Sequence, residues 1–235
     1  MVLLPPQFLE WNYYPRRKLV ENMFAGKIDN PEKFFLEFTR HNPALITGAY
    51  INGRVVVNGK IVGCGYVLKE EYLDEAIEAF QEHIDKSDEL YEKVKGDKKA
   101  LKELYEKHAK RGAELLLKYI YLPRDRAHEV VDFEKLATVE LAKRIPWSAK
   151  HTWKIVQLNR SASLLFFQPP AISFEVKGYL TIHVDDRYHR FVTLVHDAYH
   201  YTPPEYRSDR PVYILHVEEV FDKSATNSGF GRKIA

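Results

Sequence analysis

The sequence predicts a mixed α+β fold, mainly β, built on an antiparallel barrel with peripheral helices and an inserted helical hairpin. Three observations lead there. Residues 44–68 are β-branched and punctuated by glycine, residues 69–121 switch to a helical period, and apolar alternation returns from about residue 130. Strands therefore follow one another locally, without regular strand–helix–strand crossovers, and an antiparallel barrel suits that order better than a doubly wound sheet.

The first 15 residues read as irregular. Segments 16–25 and 31–41 read as short helices, the second with Asn30 as its cap and Pro31 at its first position. In ALITGAYINGRVVVNGKIVGCGYVL (44–68) the pairs Asn52-Gly53 and Asn58-Gly59 are two-residue turn signals, which predicts three short antiparallel strands. From Lys69 to Tyr121, Leu73, Ile77, Phe80 and Ile84 recur three to four apart. Leu101, Leu104, His108, Leu115 and Tyr119 do the same beyond a break at Gly96-Asp97. This is a charged helical hairpin, either a solvated pair packed along one stripe or a dedicated partner surface.

A strand is expected at 130–141, a helix at 148–158 capped by Ser148, and a buried strand at 162–167. Phe174, Val176, Leu180, Ile182 and Val184 then alternate with polar residues, the period of a half-buried strand. A helix from Arg187 to about His200 and the strand VYILHVEEVF finish the core, and the polar tail 223–235 is expected to be mobile or draped on the surface. The chain then reads as one elaborated domain: a helical extension (1–41), barrel segments (42–68 and 128–222), the hairpin insertion (69–121) and the tail.

Composition narrows the function classes. The 235 residues are 45% hydrophobic and 29% charged, which excludes disorder and small disulfide scaffolds. Thirty-five Lys+Arg against 33 Asp+Glu leave +2, so neither nucleic acid nor an anionic membrane is an expected partner. No apolar run reaches the roughly 18 residues that span a bilayer, and the N-terminal MVLLPPQFLEWNYYPRRK lacks the features of a secretory signal. The single cysteine, Cys64, reads as a small buried strand residue and suits a reducing cytoplasm. Two Met, one Cys and four Gln resemble the composition of a heat-adapted protein.

The near-neutral total conceals a division. Residues 69–118 hold 14 acidic and 11 basic side chains, a net of −3, and the remainder carries +5. Asp and Glu are absent from 38–69 and from 141–174. The first stretch has Arg40, Arg54, Lys60 and Lys69; the second has Lys143, Arg144, Lys150, Lys154 and Arg160 with His151. If both lie on the barrel they give it a locally positive wall suited to a phosphate or carboxylate, although apolar strands also hold few charges of either sign. Within the second stretch, WSAKHTW sets Ser148, Lys150, His151 and Thr152 over the first turn of the expected helix, an anion site in form. The alternative makes Ser148 an N-cap and Lys150 a solvated charge.

Ser148-Ala149-Lys150 at a helix start, Asn159, the strand Leu164 to Phe167, and Glu175-Val176-Lys177-Gly178 stand in one order along Leu136 to Val184. This block resembles the centre of the FMN-binding split-barrel proteins related to pyridoxamine 5′-phosphate oxidase. The resemblance implies a split barrel in which Ser148, Lys150 and Thr152, in the turn that also holds His151, contact the FMN phosphate, with Trp153 and Gln168 in the flavin's neighbourhood. It also implies a homodimer with FMN in the subunit interface, and a flavin-dependent oxidoreductase in which the cofactor supplies the redox chemistry. The chain departs from the family pattern in having Asn159-Arg160 where Asn-Pro is usual, and in the long insertion at 69–121.

A second constellation competes. His196-Asp197-Ala198-Tyr199-His200 lies on an expected helix, and His196 and His200 at i and i+4 share a face, with His189 seven residues before His196. This is the spacing of two metal-ligating histidines, and it supports a metal-dependent hydrolase or a metal- or haem-binding protein. Asp197 is one methylene shorter than the glutamate of the HExxH motif, and imidazoles lining a half-exposed helix are the simpler account. A third reading is a cofactor-binding or interaction module without turnover, using the helical hairpin as its contact surface.

Overall fold

Period-two alternation sets the sheet, and one continuous strand region decides how it closes. The computed structural model describes residues 1–28, 30–141, 146–207 and 210–235. Three N-terminal helices, α1 (Pro6–Asn12), α2 (Tyr14–Phe24) and α3 (Pro31–Phe38), precede strands β1 (Ala44–Ile51), β2 (Arg54–Ile61) and β3 (Gly65–Leu68). The hairpin α4 (Glu70–Val94) and α5 (Lys98–Tyr119) follows, then α6 (Arg124–Val130) and β4 (Val131–Val139). After α7 (His151–Val156) come β5 (Ser161–Gln168), β6 (Ile172–His183), α8 (Arg187–Tyr199), β7 (Val212–Asp222) and the short β8 (Arg232–Lys233). Every strand pairing is antiparallel, in the order β2-β1-β5-β6-β7-β4-β3, with β8 added to β7.

The β1–β2 hairpin turns at Asn52 and Gly53, whose φ values of 49° and 78° are the left-handed pair that such a turn requires. The second expected turn, Asn58-Gly59, lies instead inside β2, opposite Thr47 and Ile46. Asn58 donates its amide to Thr152 Oγ1 at 3.0 Å, so a tertiary partner satisfies the side chain that would otherwise favour a local turn. Beyond β2, Val62 and Cys64 donate their N–H groups to the carbonyls of Pro43 and His41, and β3 then leaves β1 to pair with β4. The two ends of the sheet are thus consecutive in the chain. No ladder joins β2 to β3 among the described residues, so the antiparallel barrel is split there.

One end of the barrel is plugged by the N-terminus, which is ordered structure where an irregular segment was expected. Phe8 on α1 is fully buried and meets Phe166 and Phe174 edge-on at 5.0 and 5.6 Å. The long β6 carries a bulge between Lys177 and Gly178. A Cβ at Gly178 would lie 1.8 Å from the His216 carbonyl oxygen, so only glycine fits. The tail is draped rather than loose: β8 pairs with Phe221 and Asp222, and the Ile234 N–H bonds the Val220 carbonyl at 2.8 Å.

The helical insertion packs along one stripe of each helix and leaves most of its charged residues exposed. Asp97 caps α5 by accepting from the N–H groups of Lys99 and Ala100, and α8 packs across both hairpin helices. At the crossing of α5 and α8 a Cβ on Gly112 would fall 1.7 Å from the Ala198 carbonyl oxygen, so the backbones meet directly. Buried apolar side chains run without interruption from Leu4 and Phe8 through Phe80 and Phe191 to Val220, which joins the N-terminal helices, hairpin, barrel and α8 in one core.

Candidate functional site

Pro146 opens a 3-10 turn over Trp147–Ala149, and Lys150 rather than Ser148 takes the cap position of α7. Ser148 therefore does not cap the helix, and no side chain accepts from the first-turn N–H groups. Ser148 and His151 are exposed, whereas Thr152 is buried and its hydroxyl takes the Asn58 amide proton. Trp153 packs edge-on against Trp147 at 4.5 Å. The structure thus brings Ser148, Lys150, His151, Thr152 and Trp153 into one turn, with Ser148 and His151 exposed and Lys150 half-buried.

Gln168 lies elsewhere. It sits at the opposite end of β5 from Ser161, about 23 Å along the strand. Its Oε1 accepts from Trp11 Nε1 at 2.9 Å and from Arg40 Nε at 2.6 Å, fastening the N-terminal segment to the barrel.

The two acid-free stretches do converge, yet on an acid. Glu140 stands immediately before the second stretch and is 1% exposed. Its Oε1 lies 2.6 Å from Lys60 Nζ and 3.8 Å from Lys150 Nζ, and Lys150 also donates to the Leu141 carbonyl. Burial lowers the Lys60 pKa, with Glu140 opposing it. Tyr213 is fully buried nearby; burial and then the Glu140 charge push its hydroxyl far above the usual tyrosine range. Among the described residues Glu140 Oε2, Tyr213 OH and Thr47 Oγ1 have no hydrogen-bond partner of normal geometry. Among the described residues, Lys60 and Lys150 of the expected positive wall surround one buried carboxylate. Lys143 and Arg144, also expected there, lie outside the described residues.

On α8 the histidines divide. His196 and His200 share a face, with ring centroids 5.5 Å apart. His189 turns away, its Nε2 donating to the Arg210 carbonyl at 2.9 Å. Asp197 is buried and committed: Oδ1 is 2.8 Å from His196 Nδ1 and Oδ2 accepts from Arg210 at 2.6 Å. Burial would raise its pKa, but His196 and Arg210 outweigh that and hold it below the usual value. Among the described residues no group of three or more His, Cys, Asp and Glu is arranged to hold a metal ion. The helix serves as an ion-paired scaffold, and Asp197 is not placed as a free general base.

His196 and His200 nevertheless line a cavity of about 420 Å³, between α2, the Gly63–Tyr66 segment, the end of β4 and α8. Its wall is mostly apolar and includes Leu141, the residue whose carbonyl Lys150 engages. Cys64 also lines it, with burial pushing the thiol pKa far up, so the thiol is inert as a nucleophile. His41 is held neutral, its pKa lowered to about 3 by burial first and by the Arg16 charge second. A larger surface hollow of about 710 Å³ beside α8 carries Arg187, Arg207 and Arg210, but these are paired with Asp74, Asp88 and Asp197. Of Arg16, His41, Lys60, Glu140 and Tyr213, only Lys60 is expected at an anion site from the sequence, as one cation of the stretch 38–69. The only signal was that three of them fall in or beside the acid-free stretches.

No family model and no curated protein matches the chain. Two solved structures are similar to it. One is described as a candidate pyridoxamine 5′-phosphate oxidase from Listeria innocua, at 10% identity and TM-score 0.38, covering 87% of this chain and 97% of that one. The other is named F420 reductase, at 12% identity and TM-score 0.35, covering 77% of this chain and 90% of that one. Among the described residues no helix is long and apolar enough to cross a membrane.

Proposed function

We propose that this chain is an FMN-binding oxidoreductase acting as a cytoplasmic homodimer on a small molecule, with the cofactor phosphate held at the turn that precedes α7. The observation that carries the reading is the pair of cations at that turn: Lys60 and Lys150 share the single carboxylate of Glu140, and the exposed Ser148 lies two residues from Lys150. Ser148, Lys150 and His151 fit a phosphate there. Thr152 does not, because its hydroxyl is buried against Asn58, and Gln168 is tied to Trp11 and Arg40 instead.

Bound FMN supplies the redox chemistry. The chain's part is to bind and orient: Ser148 donates a hydrogen bond, Lys150 contributes charge, and Glu140 with Lys60 fixes where that charge sits. For the dimer, the outward face of β1 and β2 is the surface of choice. Tyr50, Val55, Val57 and Ile61 are each at least 70% exposed and stand side by side in register, an apolar patch that water does not favour.

Lys150→Ala is expected to weaken FMN binding by about tenfold or more, the worth of a charge-assisted contact, whereas Thr152→Val leaves it nearly unchanged. Equal FMN affinity in Lys150→Ala and wild-type protein, measured by fluorescence titration, contradicts the assignment.

A further inference from the structure

The cavity between α2, β3, β4 and α8 is built for a ligand of definite charge. Arg16 lies on its wall, and among the described residues no carboxylate comes within 4.0 Å of that guanidinium. Among the described residues no Asp or Glu lines the cavity. Arg16 spends two of its donor groups on the Phe38 carbonyl (2.9 Å) and on His41 Nε2 (3.1 Å), and stacks over the Phe38 ring at 4.4 Å. Its Nε is buried without a partner among the described residues. The same is true of Thr138 Oγ1, a side chain 6% exposed that also lines the cavity. Because Arg16 can only donate, His41 Nε2 accepts and its proton sits on Nδ1, near the Phe38 carbonyl but, among the described residues, without a hydrogen bond of normal geometry. The Arg16 charge acts on His41, Tyr66 and Tyr199, three groups of the cavity wall.

Among the described residues the half-buried Arg16 guanidinium lacks a carboxylate partner, and its buried Nε, Thr138 Oγ1 and His41 Nδ1 lack acceptors, which is costly. Both deficits are met by one group, an anion with acceptor oxygens. The rest of the wall is mostly apolar, with Val20, Leu116, Phe191 and Val195 beside Asn42 and several Tyr and His residues, so the body of the ligand is mainly apolar. One permanent positive charge calls for one negative charge: a dianion would leave an uncompensated charge in an apolar site.

We infer that this cavity binds an apolar monocarboxylic acid, its carboxylate at Arg16 with Thr138 and His41 as further donors, and its hydrocarbon or aromatic body against Leu116, Phe191 and Val195. The assignment is independent of the flavin reading, since it uses other residues. The mouth is bordered by the exposed Asn42, Leu141 and His200, which gives the ligand a path from solvent.

The test is titration calorimetry and thermal shift of the full chain with decanoate, with decanol as the neutral comparison. Decanoate is expected to bind one to one and raise the melting temperature, and decanol to bind at least about tenfold more weakly, as removal of a charged partner predicts. Arg16→Gln loses decanoate binding by a similar factor. Val195→Trp, which fills the cavity and leaves Arg16 in place, abolishes binding while melting like the wild type, so the inference stays testable even if Arg16→Gln folds poorly. Absence of decanoate binding, equal binding of decanol, undiminished binding in Arg16→Gln, or displacement of decanoate by FMN would each overturn it.

Discussion

His83 and His108 lie face to face across the helical hairpin, ring centroids 4.2 Å apart at 25°, and their Nε2 atoms donate to the carbonyls of Ala198 and Asp197 at the end of α8. Two imidazoles thus close the C-terminus of the helix that lines the cavity, supplying partners for carbonyls that the helix itself leaves open.

A pH dependence follows. Burial lowers the pKa of His83, and lowers that of His108 to about 4; in both the carbonyl bond opposes the shift. The unfolded chain takes up protons near pH 6.5, before the folded chain does, so stability from these groups is present above about 6.5 and is lost as pH falls toward 4. His41 shifts in the same direction. Thermal melts are expected to show the melting temperature falling through this window, with a shallower fall in His108→Gln. A melting temperature independent of pH from 7 to 4 contradicts the assignment of buried neutral imidazoles.

The direct contact of α5 and α8 makes a second prediction. Gly112→Ala places a methyl group where the Ala198 carbonyl already is, and overpacking of this kind costs about 1–3 kcal/mol. Gly96→Ala, at the hairpin turn, meets no atom within 4 Å and is the matched control. Denaturant unfolding of the two variants separates them; equal stability would mean that the helices do not cross at Gly112.

Self-association is tested on the outward face of the hairpin strands. Val57 is 72% exposed beside Tyr50 and Val55, and Val57→Glu puts a charge in the middle of that apolar patch. Light scattering is expected to give a dimer mass for the wild type and a monomer mass for the variant. A monomeric wild type removes the dimer from the account.

Local chemistry made much of the fold legible in the sequence. Asn52-Gly53 encodes a turn that needs two positive φ values, Asn30 caps α3 as its position implies, and the alternation in 172–183 gives β6. Asn58-Gly59 carries the same local signal and is not a turn, because its fate depends on Thr152, 94 positions away. The shared face of His196 and His200 follows from helical spacing, whereas the divergence of His189 follows from a carbonyl contributed by another segment. The Lys60–Glu140–Lys150 cluster and the Arg16 cavity were illegible for one reason: each assembles residues from distant strands and helices, and no spacing within a segment announces them.

The central claim is a bound flavin, and the absorption spectrum of the purified, desalted protein tests it most directly. The account predicts a visible flavin band, or its appearance after incubation with FMN together with a higher melting temperature, both diminished in Lys150→Ala. A colourless protein whose melting temperature FMN does not change would contradict it.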